Sequence, residues 1–208
     1  LNGSNLSNAG TGTGVLTSTS GTSSTIVGLR STSTGNAITV NGNNLRGWVT
    51  SGTATTVTGI ITSGTMTGTT PSISVNTNLF GTGSQDWIRY AVATTGTLLG
   101  ISTANTVATT HSIQNNVFRG ITNSIGGVAQ TQTYITLTGA TAANNVATIG
   151  GNQFNALNVN TTGTVTFISH SYSLAATGTL NITNNAIVGS FTRTSAGAVT
   201  ITTTNAVS

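Results

Sequence analysis

Ile113-Gln114-Asn115-Asn116-Val117-Phe118-Arg119-Gly120-Ile121 decides the fold, because the chain repeats its pattern several times. It recurs as Ile38-Thr39-Val40-Asn41-Gly42-Asn43-Asn44-Leu45-Arg46-Gly47 and as Ile73-Ser74-Val75-Asn76-Thr77-Asn78-Leu79-Phe80-Gly81. Two later copies are Ala147-Thr148-Ile149-Gly150-Gly151-Asn152-Gln153-Phe154-Asn155-Ala156 and Leu180-Asn181-Ile182-Thr183-Asn184-Asn185-Ala186-Ile187-Val188-Gly189. The polar residue two before the large apolar one serves as anchor. From Asn43 to Asn78, Asn116, Asn152 and Asn185 the steps are 35, 38, 36 and 33 residues. Asn2-Gly3-Ser4-Asn5-Leu6 matches Asn41-Gly42-Asn43-Asn44-Leu45 at an offset of 39, so the chain opens on an anchor.

A second alternating segment lies between anchors, at Val57, Leu98, Tyr134, Val165 and Val199. The interval from anchor to this segment stretches from coil to coil, while the interval onward to the next anchor is nearly constant. One connection therefore tolerates insertion. Alternation over a few residues reads as strand, and no segment shows the i, i+3, i+4 spacing of a helix. Short strands recurring every 33–39 residues fit one coil of a parallel β-solenoid. The alternative, with Asn and Gly marking hairpin turns of an antiparallel protein, leaves the period and its single elastic connection unexplained.

In stacked coils, Leu45, Phe80, Phe118, Phe154 and Ile187 are expected to form one apolar column. Asn43, Asn78, Asn116, Asn152 and Asn185 form a polar one beside it. Each Asn amide can bond its neighbours above and below, satisfying groups that burial would otherwise leave unpaired. Asn also tolerates the left-handed backbone that a tight bend needs.

Composition agrees with this picture. The 208 residues carry five Lys+Arg and one Asp+Glu, and charged residues make up 3% of the chain. The arginines (Arg30, Arg46, Arg89, Arg119, Arg193) are scattered, unlike the basic stripe that nucleic acid requires. There is no cysteine, and no apolar run approaches the roughly 18 residues of a membrane helix. Abundant Thr, Val and Ile favour strands, and one proline with so little charge is unlike a disordered chain. An uncharged, β-prone chain is prone to aggregate, which favours a place outside the cytoplasm or inside an assembly.

The Ile-x-Asn-Asn-x-Phe-x-Gly-Ile phrasing within Thr/Ser/Gly-rich alternation resembles the right-handed parallel β-helix repeats of large secreted and surface proteins. It looks especially like the long adhesin-like proteins of Bacteroidetes. The resemblance implies an all-β, right-handed β-solenoid of roughly six coils, stacked about 4.8 Å apart. It also implies secretion or cell-surface display as filament, stalk or adhesin, with residues 1–208 forming a single segment of a longer chain. Flanking coils or other copies would cover its open edges, and extracellular glycans are possible ligands. No cofactor and no catalysis are expected.

Enzymes of the same architecture cleave polysaccharides, but glycoside hydrolysis ordinarily needs two carboxylates, and Asp86 is the only one, so the alternatives to a scaffold are a carbohydrate- or ice-binding module, or a non-catalytic part of a polysaccharide-active enzyme. Calcium wants several carboxylates. His111 and His170 lie far apart without Asp or Cys near either, and no Gly-x-Ser-x-Gly elbow is present. The segment Ser84–Tyr90 falls in the longest elastic connection and is the candidate ligand-contact loop, through Asp86, Trp87, Arg89 and Tyr90. Its competing reading is a local Asp86–Arg89 pair, with Trp87 and Tyr90 covering the coil flank. Thr-x-Thr pairs such as Thr136-Leu137-Thr138 and Thr164-Val165-Thr166 suggest an ice-binding face, but they precede different anchors by different amounts, and the coil at Leu98 lacks one. The sequons at Asn2, Asn5, Asn160 and Asn181 are expected by chance in such a composition. With so few charges, salt and mild pH changes are expected to leave unfolding almost unmoved.

Overall fold

The computed structural model describes residues 5–6, 16–18, 22–123, 129–139, 141–171, 174–193 and 199–203. All regular structure among them is β-strand, paired in parallel throughout and arranged in three sheets. One sheet holds the repeated Asn-x-apolar phrase: Asn44–Leu45 with Trp48–Thr50, Leu79–Phe80 with Ile88–Tyr90, Val117–Asn123, and Gln153–Val159. The next holds Thr25–Ser31, Thr56–Thr65, Leu98–Thr106, Gln132–Leu137 and Val165–His170. The third holds Ala37–Thr39, Ser72–Ser74, Ala108–Gln114, Thr141–Gly150 and Thr179–Thr183. The chain visits them in rotation, so the molecule is a β-solenoid, and its parallel pairing excludes antiparallel hairpins for these elements.

The described residues make about four full turns rather than six. The further strands Asn5–Leu6 and Leu16–Ser18 before them, and Ala186–Ile187, Phe191–Arg193 and Val199–Thr203 after them, belong to turns described only in part. The opening anchor at Asn2–Ser4, with its sequon, and the final residues 204–208 lie outside the described residues.

The ladder takes the expected register and does more than predicted. Asn43 donates both its backbone N–H (3.0 Å) and its amide Nδ2 (2.9 Å) to Asn78 Oδ1, 35 residues on. Asn78 does the same to Asn116, 38 residues on. Asn116 does so to Asn152 after 36 residues, and Asn152 to Asn185 after 33. The second amide hydrogen turns back to the previous coil: Asn78 to Val40 O (2.8 Å), Asn116 to Val75 O (2.8 Å), Asn152 to Ile113 O (2.9 Å). Asn43, Asn78, Asn116 and Asn152 are fully buried, and the last rung, Asn185, is half-buried.

The left-handed conformation, however, falls one residue earlier. Gly42, Thr77, Asn115, Gly151 and Asn184 have φ of 66°, 56°, 56°, 66° and 55°. That residue makes the bend, and the ladder Asn fills the corner it creates. An outer chain of side-chain bonds runs alongside, from Asn41 to Ser74, Asn76, Ser112 and Gln114.

The apolar column is also in register, with Leu45 opposite Phe80, Phe80 opposite Phe118, Phe118 opposite Phe154, and Phe154 opposite Ile187. Phe80 and Phe118 stack at 4.5 Å and 16°, and Phe118 and Phe154 at 5.3 Å and 8°. Ile187 departs from the expectation: it is 52% exposed, because it lies at the upper margin of the described stack.

Space for the rings comes from the facing sheet. A Cβ at Gly100 would lie 2.5 Å from Phe118 Cε1 and 2.3 Å from the Tyr134 carbonyl oxygen, and one at Gly59 would lie 2.4 Å from Phe80 Cε1. Further up, Tyr134 and Phe167 stack on each other at 5.5 Å and meet Phe154 edge-on.

The second alternating segment needs a correction. Leu98 pairs with Val57 below and with Gln132 above, and Gln132 with Val165. Tyr134, expected in that row, sits two residues further on. Gln132 escaped notice because a polar residue there points inward. It is buried, donating to Gln130 Oε1 (2.8 Å) and accepting from the Tyr134 hydroxyl (3.0 Å). Burial holds the Tyr134 and Tyr90 hydroxyls protonated well above the ordinary tyrosine range. Gln130 pulls Tyr90 slightly back without completing a hydrogen bond of normal geometry.

His111 and His170 are both interior. Burial first, and the charge of His170 second, lower the His111 pKa from 6.5 to about 4. The unfolded chain therefore takes up this proton before the folded one does. Stability is complete above about pH 6.5 and falls as pH drops toward 4, which revises the expectation of indifference to mild pH change. The full loss is about 3 kcal/mol at 1.36 kcal/mol per pKa unit. Denaturant titrations at pH 7.5 and 4.5 are expected to show most of it, and His111→Gln to flatten the slope.

Removing one rung is expected to be severe. Asn116→Ala deprives two buried Asn78 donors of their acceptor, at roughly 1–3 kcal/mol each. Chemical denaturation is expected to show a loss of about 4 kcal/mol.

Candidate functional site

The coil of Phe80 carries an insertion that the coils of Leu45, Phe118 and Phe154 lack. Phe80 is followed by a loop over residues 81–87 before the chain rejoins its sheet at Ile88, opposite Trp48 and Ile121. Thr82 ties the loop to itself: its N–H donates to Gln85 O (2.8 Å), and its Oγ1 accepts from Gln85 N (3.1 Å) and Ser84 N (3.4 Å). Gly47 N–H donates to Asp86 O (2.8 Å), and Trp87 N–H to Arg119 O (3.2 Å), so both neighbouring coils grip the loop.

Beside the loop is a cleft of about 360 Å³, lined by Gly47, Trp48, Val49, Ser84, Gln85, Asp86 and Arg89. Among the predicted contact residues, Asp86 and Arg89 are exposed and face this cleft. Trp87 and Tyr90 are buried. Trp87 meets Phe80 edge-on at 4.8 Å and lies 6.1 Å from Trp48. It anchors the loop from beneath and offers no ring face to a ligand.

The local Asp86–Arg89 ion pair is not formed. Asp86 Oδ2 instead accepts from Thr122 Oγ1 (2.8 Å) on the next coil. A Cβ at Gly120 (φ +69°) would lie 2.5 Å from Asp86 Oδ1, so only glycine there leaves room for the carboxylate. Gly120 and Thr122 were not identified from sequence. The anchors set Gly81 opposite Arg119, and the inserted loop shifts Asp86 to Gly120, so the repeat carried no signal for this contact.

A second surface feature emerges from the corrected register. Thr25 lies opposite Thr56, and backbone bonds run from Val57 N to Thr97 O, Leu98 N to Thr131 O and Gln132 N to Thr164 O. Thr25, Thr56, Thr97, Thr131 and Thr164 thus form one rank on the outer face of their sheet. Beside it, Val27, Thr58, Leu99, Thr133 and Thr166 form a second. Thr-x-Thr pairs share this place in three coils, at Thr56–Thr58, Thr131–Thr133 and Thr164–Thr166, but Val27 and Leu99 interrupt the second rank, Thr58 and Thr166 are buried, and the coil at Leu98 lacks a pair as expected.

Among the described residues, no group of three or more His, Cys, Asp or Glu is placed to hold a metal ion. Asp86 has no second carboxylate to work with, so the cleft can bind but lacks the paired acid and base of glycosidic hydrolysis. Compared with known proteins, the chain matches no family model, no curated protein and no solved structure.

The burial of Trp87 changes what its removal tests. Trp87→Ala is expected to cost about 3–5 kcal/mol as a core truncation, read as a large fall in melting temperature. It is therefore a stability variant before it is a binding variant.

Proposed function

We propose that this chain is a rigid extracellular scaffold segment, part of a filament, stalk or adhesin of the secreted β-helical kind. The observation that carries the reading is the interior ladder, unbroken from Asn43 to Asn185. A structure whose coils bond only to their neighbours extends in one dimension and transmits load along one axis. The near absence of charge and the adhesin-like repeat phrasing support display outside the cell. Antibody labelling of intact source cells tests this: surface signal trimmed by added protease is expected, and signal seen only after lysis overturns it.

A second reading, ice binding, is supported by the in-register threonine ranks. Successive coils are about 4.8 Å apart and alternate residues of a strand about 6.7 Å apart. Stiff β-branched side chains thus hold hydroxyls and methyls in one row, Thr25 to Thr164, at a spacing close to an oxygen spacing of ice, with the neighbouring rank only partly threonine. Slower recrystallisation of ice with the native chain, lost on Thr131→Tyr, would favour this reading over the plain scaffold.

A further inference from the structure

At the cleft beside the 81–87 loop the repeat is interrupted by polar, unsymmetrical chemistry. Phe118 and Phe154 run straight on within their strands, so the fold does not require this loop. The loop brings the chain's only carboxylate, Asp86, to an exposed position on the same cleft as exposed Arg89. Neither neutralises the other, and the Arg89 guanidinium has no hydrogen-bond partner among the described residues. Ser84 and Gln85 complete the polar lining, opposite Val49 and the backbone of Gly47.

We propose that this cleft binds a short stretch of neutral glycan. The charged residues lining the cleft, Asp86 and Arg89, sum to zero charge, so an ionic ligand would gain one contact and suffer repulsion from the other. A ligand of adjacent hydroxyls meets both, donating to the carboxylate and accepting from the guanidinium, whose fixed fork suits vicinal oxygens. The volume, about 360 Å³, lies at the lower end of the range for small-molecule sites. The site is also preorganised: Thr122 orients the Asp86 carboxylate, Gly120 seats it, and Thr82 closes the loop. Preorganisation reduces the ordering cost that weakens binding to mobile loops.

The test titrates the intact chain with neutral gluco-, manno- and N-acetylchito-oligosaccharides and, separately, with anionic oligogalacturonate, following backbone amide NMR shifts and calorimetry. Shifts clustered at residues 84–89 with a neutral oligosaccharide are expected. Arg89→Ala and Asp86→Asn, both exposed, are expected to weaken binding at least tenfold with the melting temperature unchanged, and Arg30→Ala on another sheet to leave it intact. The proposal is overturned if no neutral oligosaccharide shifts these amides, if only the anionic series binds, or if both cleft variants bind as the native chain does. The outcome is independent of cell-surface labelling, so this proposal and the scaffold reading can fail separately.

Discussion

The asparagine ladder is the constraint from which the rest follows. At the bend between two sheets the backbone turns away from its neighbours, and its N–H would be left facing the interior. An asparagine oxygen from the next coil accepts that N–H together with the same residue's side-chain amide, whose remaining hydrogen reaches back to a carbonyl of the previous coil. Few other side chains carry two donors and one doubly accepting oxygen on so short a stem. This is why the position accepts no substitute in the four buried rungs, and why the left-handed residue before it varies among Gly, Asn and Thr. That residue only has to bend. Thr77 bends at a cost, since a β-branched side chain is poorly suited to φ near 56°.

With the corner fixed, the large residue two positions on must point inward, and the coils align their rings. Stacking is then a consequence of register. It would fail if the facing sheet carried side chains at Gly59 and Gly100, where Phe80 and Phe118 occupy the space. Above Gly100 the arrangement changes: Tyr134 and Phe167 bring their own rings in and meet the column edge-on. The core thus switches from glycine against one ring to ring against ring. Edge-on aromatic pairs contribute roughly 0.5–1.5 kcal/mol beyond burial, which suits a chain that has almost no ion pairs to use.

How much was legible in sequence depended on whether a residue obeyed the repeat. Asn43 to Asn152 and Leu45 to Phe154 were legible because their chemistry is the same in every coil. Gln132 was not, since an inward amide at a position otherwise held by Val or Leu breaks the pattern that alternation detects. That error hid the threonine ranks, because a two-residue slip keeps a residue on its face but moves it out of its row. Trp87 and Tyr90 looked like a binding surface because aromatic residues in a loop usually are exposed. Here the loop leaves and re-enters its sheet, so Trp87 returns to the core and only its polar neighbours stay outside. The acid sensitivity of His111 was also invisible, since it depends on burial beside a residue 59 positions away.

Outward positions supply the remaining test of meaning. The fold asks little of them beyond strand compatibility, so they should drift from coil to coil. One outward rank does: Asn44, Leu79, Val117, Gln153 and Ala186 lie in register and share no chemistry. Another does not: Thr25, Thr56, Thr97, Thr131 and Thr164 are uniform over the same coils. A threonine-rich composition acts on both ranks alike, and so cannot explain why only one is uniform. The backbone environment differs in part, because Thr97, Thr131 and Thr164 sit one residue before their strands whereas every member of the mixed rank opens one. The face differs as well. A uniform rank on one face and a charged inserted loop on another are departures from drift that the fold does not require, and surface function is where such departures belong.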